Sequence, residues 1–91
     1  MRKRRDEIQI IKAILELAST GIAKTRIMRK ANLEYKGFIQ YCSALEQMGY
    51  LETRKIHNSH RYLYQTTPDG IDALKYFKEA SSILERINKF L

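Results

Sequence analysis

Ninety-one residues make one domain with room for one core, and 44% hydrophobic content marks a chain that folds rather than a disordered one. No apolar run reaches the ~20 residues of a membrane span, the basic N-terminus leads into no signal-peptide core, and a lone Cys42 supplies neither an internal disulfide nor a Cys-based metal framework. The formal charge of +7 is uneven: residues 1–66 hold thirteen Lys/Arg and six Asp/Glu, whereas residues 67–91 hold four of each, so a basic body suited to a polyanion precedes a neutral tail suited to protein.

The chain opens with a basic arm, residues 1–5, carrying Arg2, Lys3, Arg4 and Arg5. Asp6 and Gln9 fit a capping box that starts a first helix over about residues 6–19. Ile8, Ile11, Ile14, Leu15 and Ala18 recur at helical spacing on its inner side, and Gly21 suits the turn after its end. A short second helix follows over about residues 24–31, with Ile27, Met28 and Ala31 inward and Asn32 as its stop. The third helix spans about residues 35–48, with Phe38, Cys42, Leu45 and Met48 facing the core and Gly49 ending it.

Two strands are predicted next, over Tyr50–Ile56 and His60–Thr66, with His57, Asn58 and Ser59 as the hairpin loop. Tyr62, Tyr64 and Thr66 share one face by the two-residue period. Thr67, Pro68 and Asp69 then start a last helix over about residues 68–90, as N-cap, first-turn proline and dipole-matched acid. Ala73, Phe77, Ala80, Leu84, Ile87 and Leu91 alternate by four and three along it, the spacing of a coiled-coil seam. A helix of that length outreaches a compact three-helix core, so a second copy is the expected cover and those six residues are the expected dimer interface.

The order helix, helix, helix, strand, strand, helix is mainly α (an α+β protein). It is that of a winged helix-turn-helix: residues 6–67 form the head and residues 68–91 a dimerisation helix. In such a head the third helix reads nucleic acid while the first two support it and the hairpin projects beside it. The exposed side of the third helix carries Lys36, Gln40, Ser43 and Gln47, polar side chains that hydrogen-bond base edges, and Gly37 allows close approach to a backbone. Lys24, Arg26, Arg29 and Lys30 are the candidate phosphate contacts, since five basic residues and one acidic lie between 24 and 36. The wing offers Arg54, Lys55, His57, Asn58, His60 and Arg61, and the arm adds nonspecific charge. His57 and His60 have no cysteine or carboxylate nearby to complete a metal site.

Gly21, Lys24-Thr25-Arg26-Ile27-Met28, Ala31-Asn32-Leu33 and Tyr35 resemble the small basic archaeal winged-helix DNA-binding proteins, in particular the ten-kilodalton Sulfolobus chromatin protein family. Tyr41, Leu45, Tyr64 and the Thr67-x-x-Gly70 turn fit the same pattern, and the similarity covers about residues 6–91. The resemblance implies C-terminal helices paired as an antiparallel coiled coil, giving an elongated dimer with two DNA-binding heads. Two positions depart from the pattern: Glu34 stands where the family often has a serine N-cap, and Thr66 where it usually has an apolar residue.

The expected function is therefore a dimeric, cytoplasmic, nucleoid-associated protein that binds double-stranded DNA and acts broadly, as a chromatin organiser. An operator-specific transcription regulator of the same fold is the alternative. A protein-interaction module for an acidic partner is the alternative from another class, and charge alone also admits RNA. No nucleophile–base pair, glycine-rich phosphate loop or spaced carboxylate pair points to an enzyme, and no cofactor is expected.

Overall fold

The computed structural model describes residues 4–57, 59 and 61–91, with side chains from residue 7 onward. Met1, Arg2 and Lys3 of the predicted arm, the side chains of Arg4 and Arg5, and Asn58 and His60 of the wing lie outside the described residues. Helix α1 (Arg4–Leu17) tightens into a 3-10 turn (Ala18–Thr20). Helices α2 (Lys24–Lys30) and α3 (Tyr35–Gln47) follow, then strands β1 (Leu51–Lys55) and β2 (Tyr62–Thr66), then the long helix α4 (Pro68–Asn88). The predicted order is the observed one. The start of α1 is a correction: the helix already includes Arg4 and Arg5, so Asp6 stands inside it and is not its cap.

Two matched helix ends shape the head. After α2, the Leu33 N–H donates to the Met28 carbonyl (2.8 Å) and the Asn32 N–H to Arg29 (3.3 Å), with Asn32 at φ 54°. After α3, the Tyr50 N–H donates to Leu45 (2.9 Å) and the Gly49 N–H to Glu46 (3.0 Å), with Gly49 at φ 79°. Both are Schellman endings, in which one left-handed residue lets two amides satisfy the last-turn carbonyls. Asn and Gly are the residue types that adopt that backbone at least cost. The α2–α3 turn is therefore set by local chemistry and holds α3 at a defined angle to α2.

The core gathers Ile14 and Leu15 from α1, Ala18 from the 3-10 turn, Ile27 from α2, Phe38, Cys42 and Leu45 from α3, and Leu51 and Leu74. Met48, predicted to join it, is 62% exposed. It is the cap residue of α3, and the turn that follows carries it off the buried stripe. The hairpin is antiparallel and pairs Leu51 with Thr66, Thr53 with Tyr64 and Lys55 with Tyr62. Ile22 adds a short third strand, exchanging backbone hydrogen bonds with Tyr64 (3.0 and 2.8 Å), which sets the start of α2 beside the hairpin.

Thr66 is buried, and its hydroxyl donates to the Leu15 carbonyl at 2.7 Å, one of the four end carbonyls of α1 that lack a helical donor. A threonine at this core position is thus paired rather than a polar defect. Thr67 caps α4 as predicted. Its hydroxyl accepts from the Gly70 N–H (3.0 Å) and donates to the Gly49 carbonyl (2.6 Å), which ties the start of α4 to the end of α3. A Cβ on Gly70 would run into the Tyr50 carbonyl, so the Thr67-x-x-Gly70 turn combines a cap with a close backbone approach.

Helix α4 packs along α1. Its inner side is Gly70, Ala73, Leu74 and Ser81, with Phe77 packed against the core. Ala73 and Phe77, predicted for a seam between two chains, therefore pack inside this one, while Ala80 and Leu84 are half-buried. Tyr76, Ile83, Ile87, Phe90 and Leu91 are exposed.

Candidate nucleic-acid interface

Helix α3 buries one stripe, Phe38, Cys42 and Leu45, and leaves the rest of its circumference open. At 3.6 residues per turn, Lys36, Gln40, Ser43 and Gln47 project from the side directly opposite that stripe. All four are exposed, as predicted, and none is acidic. The helix starts without a side-chain cap: Glu34 is the N-cap residue and its carbonyl accepts from the Phe38 N–H at 2.9 Å, but its carboxylate caps nothing.

The flanks of α3 differ. On one side Gly37, Tyr41 and Ala44 border a groove of about 850 Å³ against α1, lined also by Glu7, Ile11 and Glu34. A Cβ at Gly37 would meet only the Leu33 side chain, at an ordinary 3.7 Å. The fold itself does not require glycine there. On the other side lie Tyr35 (58% exposed) and Ile39 (40% exposed), neither of which the sequence placed in the interface. The spacing that put Phe38 and Cys42 in the core also put Tyr35 and Ile39 just beyond its edge. Only the width of the buried stripe, which depends on packing, leaves them open.

The α2 cations Lys24, Arg26, Arg29 and Lys30 are exposed. The ion pairs found among the described residues, Lys75–Asp72 and Lys78–Glu16, involve none of them. The Lys24 ammonium sits 5.5 Å from the centre of the Tyr35 ring, a cation–π contact that ties α2 to the start of α3.

The wing divides. Lys55, His57 and Arg61 are exposed, and the loop is closed by the Ile56 N–H donating to the Arg61 carbonyl at 3.0 Å. Arg54, predicted to share their role, points the other way. Its guanidinium donates to Gln65 Oε1 (2.9 Å), and Gln65 in turn donates to the Ser19 carbonyl (2.7 Å). Arg54 is thus engaged in docking the hairpin onto the end of α1. Among the described residues no group of His, Cys, Asp and Glu could hold a metal, and no helix is long and apolar enough to cross a membrane.

Behind the interface, Tyr64 packs edge-on against Phe38, ring centres 5.3 Å apart. Burial, and then the neighbouring Cys42, Glu46 and Tyr35, raise its phenol above the ordinary tyrosine range. Burial and then Glu46 push the Cys42 thiol up to about 12, so it is a protonated core residue rather than a nucleophile.

No curated protein matches this sequence. Solved structures do. Sso10a-2, a DNA-binding protein from Sulfolobus solfataricus, superposes with a TM-score of 0.81 at 22% identity, covering 90% of this chain and 84% of that one. The PcaV transcriptional regulator from Streptomyces coelicolor gives 0.76 at 16% identity over 85% of this chain, which spans only 57% of PcaV. A PadR family transcription regulator from Clostridium difficile R20291 gives 0.73 at 19% identity over 91% and 96%. At these identities the likeness is one of fold. The winged helix-turn-helix family model matches residues 4–85, nearly the whole chain, and the protein belongs to the winged helix-turn-helix family.

Proposed function

We propose that the protein binds double-stranded DNA as a homodimer, with α3 laid in the major groove. The observation that carries this reading is the acid-free outward stripe Lys36, Gln40, Ser43 and Gln47, standing opposite the core and next to the exposed cations of α2. Lys36 is suited to guanine O6 and N7, Gln40 to adenine N6 and N7, and the exposed Ile39 to a thymine methyl. Ser43 and Gln47 extend the same polar strip. Gly37 lets a sugar-phosphate strand come close to the helix. Lys24, Arg26, Arg29 and Lys30 neutralise phosphates on one side of the groove, and Lys55 and Arg61 do so from the wing, where His57 offers a hydrogen bond.

The dimer forms through the outer side of α4. Tyr76, Ala80, Ile83, Ile87 and Phe90 alternate by four and three, the seam spacing of a coiled coil, and all but Ala80 are exposed. This seam keeps Ala80 and Ile87 of the predicted one and replaces the rest. An antiparallel pairing of two such helices sets the two heads apart, the arrangement of a chromatin-organising protein that bridges or bends DNA, and the nucleoid is its place. Broad binding is supported by the abundant positive charge beside a polar, undemanding stripe on α3. An operator-specific regulator would use the same residues, and the Ile39–Gln40 pair is the feature that favours it.

Gel shifts over a salt series test both. Arg29→Ala is expected to weaken all duplexes alike and to reduce the slope of log affinity against log salt by ~0.9 for each head bound. Lys36→Ala is expected to weaken binding as well. A packaging protein holds random and selected duplexes within about tenfold, whereas a regulator separates them by ~10³ or more. Unchanged affinity in both variants would remove α3 and α2 from the interface.

A further inference from the structure

We propose that the cleft between α2 and the wing holds an unpaired nucleotide of DNA, its base stacked on Tyr62 and its phosphates held by Lys24 and Arg61. The hairpin register puts Leu51 with Thr66, Thr53 with Tyr64 and Lys55 with Tyr62 in succession on one face. Leu51 and Thr66 are buried at 2% and 5% exposure, Tyr64 is half-buried against Phe38, and Tyr62 is 54% exposed. The face runs out of core before it runs out of aromatic rings. Packing covers Tyr64 but leaves more than half of Tyr62 open to solvent.

Tyr62 borders a cleft of about 560 Å³ lined by Ala23, Lys24, Thr25, Thr53, Arg61 and Tyr64 besides itself. That volume is within the ~300–1,000 Å³ typical of small-ligand sites. No carboxylate lines it, two cations do, and two threonine hydroxyls add hydrogen-bonding groups. The Ile22–Tyr64 pairing fixes the two walls relative to each other, since it clips the start of α2 onto β2. Rings beside cations are the composition that holds single strands irrespective of sequence, because every base has a face to stack. A site for phosphate alone would need the cations and not the tyrosine. Through the Lys24–Tyr35 contact the cleft adjoins the flank of α3, so a strand leaving a duplex bound on α3 reaches it directly.

The extension to tailed duplexes rests on the duplex-binding reading, and the probes separate the two. Fluorescence anisotropy of the full chain would compare a blunt duplex of about 20 bp, the same duplex with a tail of about eight thymidines at either end of one strand, and the same duplex with an abasic tail of equal length. The thymidine tail is expected to tighten binding ~10-fold and the abasic tail to add little, because stacking needs a base. Tyr62→Ala should erase that gain while leaving the blunt duplex within about twofold, and Tyr62→Phe should keep it. No gain from either tail polarity, an equal gain from the abasic tail, or a gain that survives Tyr62→Ala would each overturn the proposal. Should the blunt duplex not bind at all, the duplex reading fails by itself, and oligothymidine alone, with the same dependence on Tyr62, decides the cleft.

Discussion

Ser81 lies on the inner side of α4 at 4% exposure, and its hydroxyl has no hydrogen-bond partner among the described residues. A buried hydroxyl that gives up water without a replacement costs about 1–3 kcal/mol. Ser81→Ala removes the polar atom and leaves little void, so it is expected to raise stability by about 1 kcal/mol in denaturant unfolding. Thr66 shows the opposite case: its hydroxyl is paired with the Leu15 carbonyl, and the same change there would remove that buried bond. Cys42 gives a pH prediction. Its thiol stays protonated in the folded chain up to about 12, whereas in the unfolded chain it ionises near its ordinary value of 9.0. Between those values the unfolded state binds fewer protons than the folded state, so stability falls as pH rises. The slope approaches about 1.4 kcal/mol per pH unit for one proton. Tyr64, raised in the same direction, adds to the loss. Unfolding titrations at pH 8 to 11, with Cys42→Ala as the flatter control, check this.

At the scale of elements, α3 is held by its two ends and one buried stripe, and that economy leaves most of its surface for a ligand. Gly37 separates stability from binding. It sits inside a helix, where glycine costs roughly 0.5–1 kcal/mol relative to alanine, and the Leu33 methyl is far enough to accept a Cβ. Gly37→Ala is therefore expected to raise the midpoint of thermal unfolding while weakening duplex binding several-fold. A stabilised variant with unchanged affinity would show that no backbone approaches this position. The hairpin has a similar division between its faces. Arg54 and Gln65 dock it on the end of α1, whereas Tyr62 and Lys55 continue the opposite face beyond the core.

The whole molecule is elongated, 54 × 27 × 20 Å, because α4 runs past the head. Its outer stripe of Tyr76, Ile83, Ile87 and Phe90 is exposed. Burying it in a second copy is worth ~25 cal/mol per Å² of apolar surface, which is the driving force for the proposed dimer. Replacing both Ile83 and Ile87 by Asp places two charges in that seam. Sedimentation should then report a single protomer, with the helical circular dichroism of the head retained. Duplex affinity should drop by more than the roughly twofold statistical loss of the second head, since that linked head no longer binds at raised local concentration. A dimer that survives the double change would move the interface elsewhere.

Much of the head was legible in residue order because its determinants are local. Asn32 and Gly49 end helices through their own backbone preference, Thr67 caps with its own hydroxyl, and the 3.6-residue and two-residue periods sort Phe38, Cys42, Leu45 and Thr66 inward. The outward stripe of α3 follows from the same arithmetic. Packing between distant elements decided the rest. On α4 the apolar residues fill an arc wide enough for two overlapping four-and-three seams, and only the position of α1 settles which one stays inside. The turn of Arg54 toward Gln65 and the exposure of Tyr35, Ile39 and Tyr62 have the same origin: a residue's type sets what it can do, but its burial depends on which partner the fold brings against it.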